Sequence, residues 1–266
     1  MPALWACTLR LAFAALVLAV IQVTTRQPWP KGEALKAACL YGFFEFGLGL
    51  PLLYWGEKVV PSGLAAVLYA ICPISAMIVA KAMGIEQWTA TKFGAAVVAF
   101  LGVAIIFWRE LLSGASPAGI AAIIIAAFAA PIAGLMLQRG PRQGAIGVNA
   151  VAALVGLPFS VVGSLMLGES HPLPAAVSQW FPVAYLAIMS SVVAFGLFAW
   201  LMNHWRATTV SFLGVIVPVI AVVVGAVFRN ERFAPGALLG AAVVIVGVVA
   251  ALRSGTTHLE SVPEAA

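Results

Sequence analysis

The chain has 266 residues, 63% of them hydrophobic and only 9% charged, with 14 Lys and Arg against 9 acidic residues and a mean hydropathy of +1.08. So few charges cannot form the polar shell that a water-soluble domain of this length needs, which excludes a cytoplasmic enzyme. The net charge of +5 is spread as single residues between apolar runs, with no basic patch or stripe, which excludes a nucleic-acid partner and leaves the lipid bilayer as solvent.

Runs of about 20 apolar residues, the length that crosses a bilayer as a helix, recur along the sequence. Nine spans are predicted, at 3–22, 34–54, 61–81, 89–108, 117–137, 145–167, 180–202, 207–228 and 235–252. The expected fold class is an all-α polytopic membrane protein, since the alternating ten-residue strands of a membrane barrel are missing. The first span carries Arg10 within its apolar stretch and has no positive cluster at its head, so it does not read as a signal peptide. The second span holds Tyr41 and Glu45, and the third Tyr69 and Pro73, with Glu86 at its end. Glycines at 94 and 102 mark the fourth span, Pro131 the fifth, and Asn149 and Pro158 the sixth. The seventh holds Tyr185, Ser190 and Ser191, with Asn203 at its end. Pro218 interrupts the eighth, and Glu231 follows it. Gly236, Gly240 and Gly247 form a small-residue face on the ninth, suited to close helix packing or to a homodimer contact. The residues from Arg253 to the end read as a disordered cytoplasmic tail. Cys7, Cys39 and Cys72 lie singly inside apolar runs and read as small core hydrophobes.

Orientation follows from the positive residues, which are retained on the cytoplasmic side. Nine Lys and Arg (Arg26, Lys31, Lys36, Lys81, Lys92, Arg139, Arg142, Arg206, Arg253) follow odd-numbered spans, against Lys58, Arg109, Arg229 and Arg232 on the other side. The C-terminus is expected in the cytoplasm and the N-terminus outside. Trp29, Trp88, Trp108, Trp180 and Trp205 fall at span ends, where an indole favours the headgroup region.

A shift of 145 residues lays "YWGEKVVPSGLAAVLYAICPISAMIVAKAMGIE" over "AWLMNHWRATTVSFLGVIVPVIAVVVGAVFRNE". Trp55 then meets Trp200, Pro73 meets Pro218, Glu86 meets Glu231, and Gly102-Val103 meets Gly247-Val248. Partner spans are five apart, an odd number, so the two halves run through the membrane in opposite directions, the inverted-repeat plan of many secondary transporters. The first half, residues 1–109, has four spans; the second, 110–252, has five, with 253–266 as tail. The fifth span finds no partner after Met1.

In "SGLAAVLYAICPISAMIVAKAMGIE", "GAAVVAFLGVAIIF" and their second-half counterparts "VSFLGVIVPVIAVVVGAVFRNE" and "GAAVVIVGVV", the chain resembles EamA-type transporters of the drug/metabolite transporter superfamily. The resemblance implies ten helices in two inverted five-helix halves around a central cavity that opens alternately to either side, usually to export small metabolites. With nine spans, the sequence is expected to start late relative to a tenth helix, the alternative being a shortened form.

Arg10 and Glu45 are ionisable groups well inside spans, where a charge costs about 2.5–3.5 kcal/mol unless paired or solvated. Arg10 lies about 10 Å and Glu45 about 13 Å from the outer ends of their helices at 1.5 Å per residue, so the two are expected to pair, either as structure or as a substrate and coupling site. Tyr41, one turn before Glu45, and Tyr69, one turn before Pro73, are candidate cavity residues. Pro73 and Pro218 are candidate hinges, alternatively packing kinks, because each removes a backbone hydrogen bond in mid-span. Glu86 and Glu231 are expected to anchor span ends beside Lys81, Lys92, Arg229 or Arg232. The sequence has no Asp, no His-Glu-x-x-His, no Gly-x-Ser-x-Gly and no phosphate-binding loop, so no catalytic residue, cofactor or metal is implied. Without a nucleotide site, uphill movement would draw on a gradient, with Glu45 the candidate proton carrier. The expected function is secondary export of a small metabolite such as an amino acid. The alternatives are a non-transporting or degenerate membrane subunit and an intramembrane lipid-modifying enzyme.

Overall fold

A computed structural model describes residues 1–87, 89–112, 114–229 and 235–255. Trp88, Glu231, Arg232 and the tail beyond residue 255, all singled out in the sequence, lie outside the described residues. The described chain is helical throughout. In chain order the main helices are α1 (Ala3–Thr24), α2 (Glu33–Val59), α3 (Ser62–Ala82), α4 (Ala90–Ile106), α5 (Pro117–Arg139), α6 (Ala145–Met166), α7 (Trp180–His204), α8 (Leu213–Arg229) and α9 (Pro235–Gly255). A single turn, Ala207–Val210, precedes α8.

Seven of these, all but α4 and α8, are long and apolar enough to cross a membrane, where nine full spans were expected. At 17 residues, α4 spans about 25 Å at the α-helical rise, a few ångströms short of the hydrocarbon core. The eighth predicted span is divided, because the chain turns at Ser211 and Phe212 before α8 begins.

Several helix ends are fixed by identifiable contacts. The first turn of α1 has backbone N–H groups with no partner in the helix. Glu169, from the link after α6, accepts from Trp5 N at 2.9 Å and Leu4 N at 3.3 Å, placing a carboxylate against the positive end of the helix dipole. Thr89 caps α4 by accepting from Lys92 N. The Trp5 and Trp180 indoles donate to the carbonyls of Pro172 and Pro174, so a polar tip is satisfied at a helix end.

Two apolar clusters form the interior. One gathers Cys7, Leu11, Tyr41, Phe46, Leu135, Val148, Met202 and their neighbours from α1, α2, α5, α6 and α7. The other joins Val67, Met77, Ala99, Val103, Phe212, Val215, Val244 and Val248 from α3, α4, α8 and α9 with the turn before α8. Each cluster draws on both halves of the sequence, so a cut at residue 109 separates sequence units that are not separately packed bodies. Small residues allow the helices to approach, since lipid tails give helices little hydrophobic reason to associate and packing must do it. A Cβ on Gly42 would lie 2.6 Å from the Ala152 Cα, and one on Gly156 would lie 2.4 Å from the Phe46 Cβ, which fixes the α2–α6 crossing. At the α4–α9 crossing, Gly102 abuts Val244 and Gly240, while Gly247 abuts Ala99 and Ala95. The small-residue face read as a packing or dimer surface is thus largely used inside the chain. The outward faces carry Leu16, Val20, Leu154, Val162, Ile220, Ile245 and Val246, all exposed. So much apolar surface suits hydrocarbon and not water.

Two helices depart from α geometry. Phe43–Gly49 in α2 and Leu186–Ala194 in α7 are π-helical. Leu50 N–H reaches back five residues to the Glu45 carbonyl, and Phe195 N–H reaches back five to that of Ser190. After the first, Pro51 has no N–H to offer Gly47, so α-type bonding cannot run through this stretch unbroken.

Candidate functional site

A cavity of about 390 Å³ lies between α2, α3, α5, α7 and the start of α8, at the lower end of the range for small-molecule sites. Its wall is mostly apolar, with Phe195, Phe198, Leu201, Met202, Val210, Leu213 and Val217. Glu45, Tyr69, Cys72, Ser190 and Ser211 bring polar groups to it.

Glu45 is 7% exposed, and its Oε2 is buried without a hydrogen-bond partner. The expected pairing with Arg10 does not form. Arg10, 5% exposed, turns its guanidinium to hydroxyls instead. Nε donates to Ser191 Oγ at 3.0 Å, Nη1 to Tyr54 OH at 3.0 Å, and Nη2 to Ser190 Oγ at 2.7 Å. Its Cζ also lies 5.8 Å from the Tyr54 ring centre and 6.0 Å from that of Phe195, within cation–π range. Equal depth set the two charges at one height but said nothing of the direction each helix face points, and the π turn in α7 presents two serines where Arg10 arrives.

Tyr41 was expected in the cavity; it is fully buried away from it. Its ring packs on Phe46 and Phe198, and its hydroxyl donates to Asn149 Oδ1 at 3.4 Å. The reason is packing: α6 brings Asn149 and α7 brings Phe198 over this part of α2, and they close over Tyr41. Tyr69 does line the cavity.

The prolines differ from one another. Pro73 sits in the first turn of the second piece of α3, after a break at Ala70 and Ile71. Pro218 lies inside α8, beyond the break at Ser211 and Phe212. Each nevertheless denies a hydrogen bond to the carbonyl four residues earlier, and those residues, Tyr69 and Gly214, both line the cavity. Pro131, without a repeat partner, also reaches the wall. It deprives the Ala127 carbonyl of its α-helical donor, and Ser75 Oγ at 2.6 Å and Cys72 Sγ at 3.6 Å from α3 donate there instead.

Glu86 joins a second polar cluster, whose hydrogen bonds do not include Arg10. Thr208 donates to Glu86 Oε2 at 2.5 Å, and Lys92 Nζ donates to Thr208 Oγ1 at 2.5 Å and Thr209 Oγ1 at 3.2 Å. The two charges meet through a hydroxyl and not directly. Glu231 lies outside the described residues. Among the described residues, no three His, Cys, Asp or Glu side chains come together as a metal site.

Tyr54 and the paired use of Ser190 and Ser191 were not visible as parts of one arrangement in the sequence. The available signal was Arg10 itself, since a guanidinium at membrane depth must find acceptors on the facing helices.

A bundle of apolar helices enclosing an amphipathic cavity at membrane depth defines a multi-pass membrane protein of the transporter class. The chain belongs to the EamA-like transporter family, whose sequence pattern matches residues 1–108 and 117–253. It is 23% identical over 253 residues to the uncharacterized inner membrane transporter YedA of Escherichia coli (strain K12), covering 93% of this chain and 81% of that protein. To a protein of Streptantibioticus cattleyicolor named "Probable terminal-alkyne amino-acid exporter" it is 26% identical over 244 residues, covering 90% of this chain and 80% of that one. A crystal structure with 16% sequence identity superposes with a TM-score of 0.79, covering 95% of this chain and 89% of the other, and so shares the fold.

Proposed function

We propose that this protein is a secondary carrier of a bacterial inner membrane that exports a small amphipathic metabolite such as an amino acid. Two inverted halves expose the cavity alternately to either side, the C-terminus is cytoplasmic, and Glu45 exchanges a proton against the solute. One observation carries the reading: the two π turns hold Glu45 and Ser190 on the wall of a single cavity, and these residues, with the Leu50 and Phe195 that close the turns, are each 145 positions apart. Departures from α geometry are frequent at functional sites, and paired broken helices meeting at membrane depth are how carriers build a binding site. The α4–α9 contacts follow the same shift, with Gly102 and Gly247 in equivalent surroundings. An apolar wall with a few polar points suits a solute that has a polar head and an apolar body. The amino-acid exporter among the relatives supports the substrate class, and the inner membrane relative the location.

The test is reconstitution of the purified chain into liposomes loaded with radiolabelled amino acids. Efflux above that of empty liposomes, faster when a pH gradient is imposed, is the expected result. Efflux equal to that of protein-free vesicles for every amino acid tried would overturn the proposal.

A further inference from the structure

Arg10 touches the cavity only through another residue. Its Nη2 donates to Ser190 Oγ at 2.7 Å and its Nε to Ser191 Oγ at 3.0 Å. Ser191 is buried at 1% exposure, whereas Ser190 lies on the cavity wall. A serine hydroxyl that accepts a hydrogen bond keeps its own hydrogen to give, and accepting from a guanidinium makes it a stronger donor. Neither serine donates to the protein among the described residues, so the Ser190 hydrogen is free for a guest. Opposite in character is Glu45 on the same wall, more than nine-tenths buried, with Oε2 lacking any partner. An ionised carboxylate only accepts.

We infer that Ser190, polarised by Arg10 from behind, determines specificity by donating to an acceptor oxygen on the ligand while Glu45 accepts from the ligand's ammonium group. The cavity then reads a positive centre and a carboxylate or carbonyl oxygen carried on one small head. It leaves the apolar remainder of the ligand against Phe195, Phe198 and Met202. Arg10 is a positioning residue: it contacts no ligand and acts by fixing the serine hydroxyl and drawing on its electrons. Arg10 also explains how a carboxylate-bearing ligand is tolerated beside Glu45, since its positive charge stands one hydrogen bond behind the donor. This inference rests on the carrier reading and adds to it the residue that separates zwitterions from simple amines.

Three probes of similar size and one apolar ring test it in liposomes containing the full chain: L-phenylalanine, phenethylamine, which lacks the carboxylate, and 3-phenylpropionate, which lacks the ammonium. The wild-type protein is expected to move L-phenylalanine in preference to both. Ser190→Ala is expected to lower movement of L-phenylalanine about tenfold more than that of phenethylamine, the worth of one hydrogen bond to a charged group. Ser190→Thr, which keeps the hydroxyl, restores the preference. Ser191→Ala, equally bonded to Arg10 but facing away from the cavity, serves as the control for structure: it lowers thermal stability and leaves the ratio between the two probes in place. Equal loss of both probes in Ser190→Ala, or failure of Ser190→Thr to restore the ratio, overturns the inference. Movement of phenethylamine without L-phenylalanine by the wild-type protein overturns it while leaving the carrier reading standing. Movement of none of the three overturns the inference, and the carrier reading falls with it only when no other amino acid is moved above protein-free vesicles.

Discussion

Arg10 and Glu45 are both buried ionisable residues in apolar helices, yet the protein treats them differently. The guanidinium is surrounded by hydroxyls from two helices and by two aromatic rings, which is how a cation is kept inside a membrane without a counter-ion in contact. Arg10→Ala removes three hydrogen bonds to a charged group and leaves Ser191 buried without its donor. The expected loss is about 2 kcal/mol of stability, the range for one such bond after compensation, read as a lower unfolding midpoint in detergent. An unchanged midpoint would mean that the hydroxyl cage contributes nothing. Glu45 is the reverse case, buried and unbonded, so its replacement should show in transport and not in folding. Glu45→Gln keeps the shape and removes the titrating group. The mutant is expected to keep its unfolding midpoint while solute movement loses its dependence on pH between mildly acid and mildly alkaline buffer. A folded Gln variant with the wild-type pH profile would remove Glu45 from coupling. Tyr41 shows how a residue-level inference goes astray: spacing of four places it near Glu45, but whether that face opens on a cavity or on a neighbouring helix depends on what packs there, here Asn149 and Phe198.

At the level of helices, what could be read in the sequence was what length and hydropathy encode. The predicted 117–137 and 145–167 are observed as Pro117–Arg139 and Ala145–Met166, and the short links fall where Pro, Gly and charge interrupt the apolar runs. The hydrogen-bonding register inside a helix leaves no trace in hydropathy, so the π turns were invisible although they build the site. The broken third and eighth spans were half visible. The prolines marked the region, but the breaks fall three residues before Pro73 and seven before Pro218, because a turn is placed by what the flanking segments pack against. Pro218 still leaves the Gly214 carbonyl without an α-helical donor on the cavity wall. Pro218→Ala lets residue 218 donate to that carbonyl and stiffens α8, so turnover in liposomes should fall several-fold while the half-saturating solute concentration changes little. A lowered unfolding midpoint with unaltered turnover would make the proline a packing feature only.

Over the whole molecule, the charge count and the constant shift of 145 residues predict a topology that labelling can decide. With Cys39 replaced by Ala, the remaining native thiols at Cys7 and Cys72 are buried, so single cysteines can be placed in the links. A membrane-impermeant maleimide applied to intact cells is expected to modify Asn230→Cys, after the eighth span, and to spare Gln87→Cys, after the third, until the cells are opened. Labelling of both from the same side would end the inverted-halves reading. The 145-residue shift suggests two halves but says nothing of how they interlock, since which helix of one lies on which helix of the other depends on side-chain fit. The pairing of α1 with α6 and of α4 with α9, which merges the halves into shared clusters, emerges only in three dimensions.

The α4–α9 crossing has a mechanical consequence. Gly102 meets Val244 and Gly240 as Gly247 meets Ala99 and Ala95, so in the proposed exchange of conformations between the halves this contact would be carried onto itself, with no reason to come apart. On that proposal it would be a fulcrum about which the other helices swing. Pinning it, for instance with a disulfide between Ile105→Cys and Gly236→Cys, whose backbones approach there, should leave the machine running, whereas tying together arms that change distance would stall it.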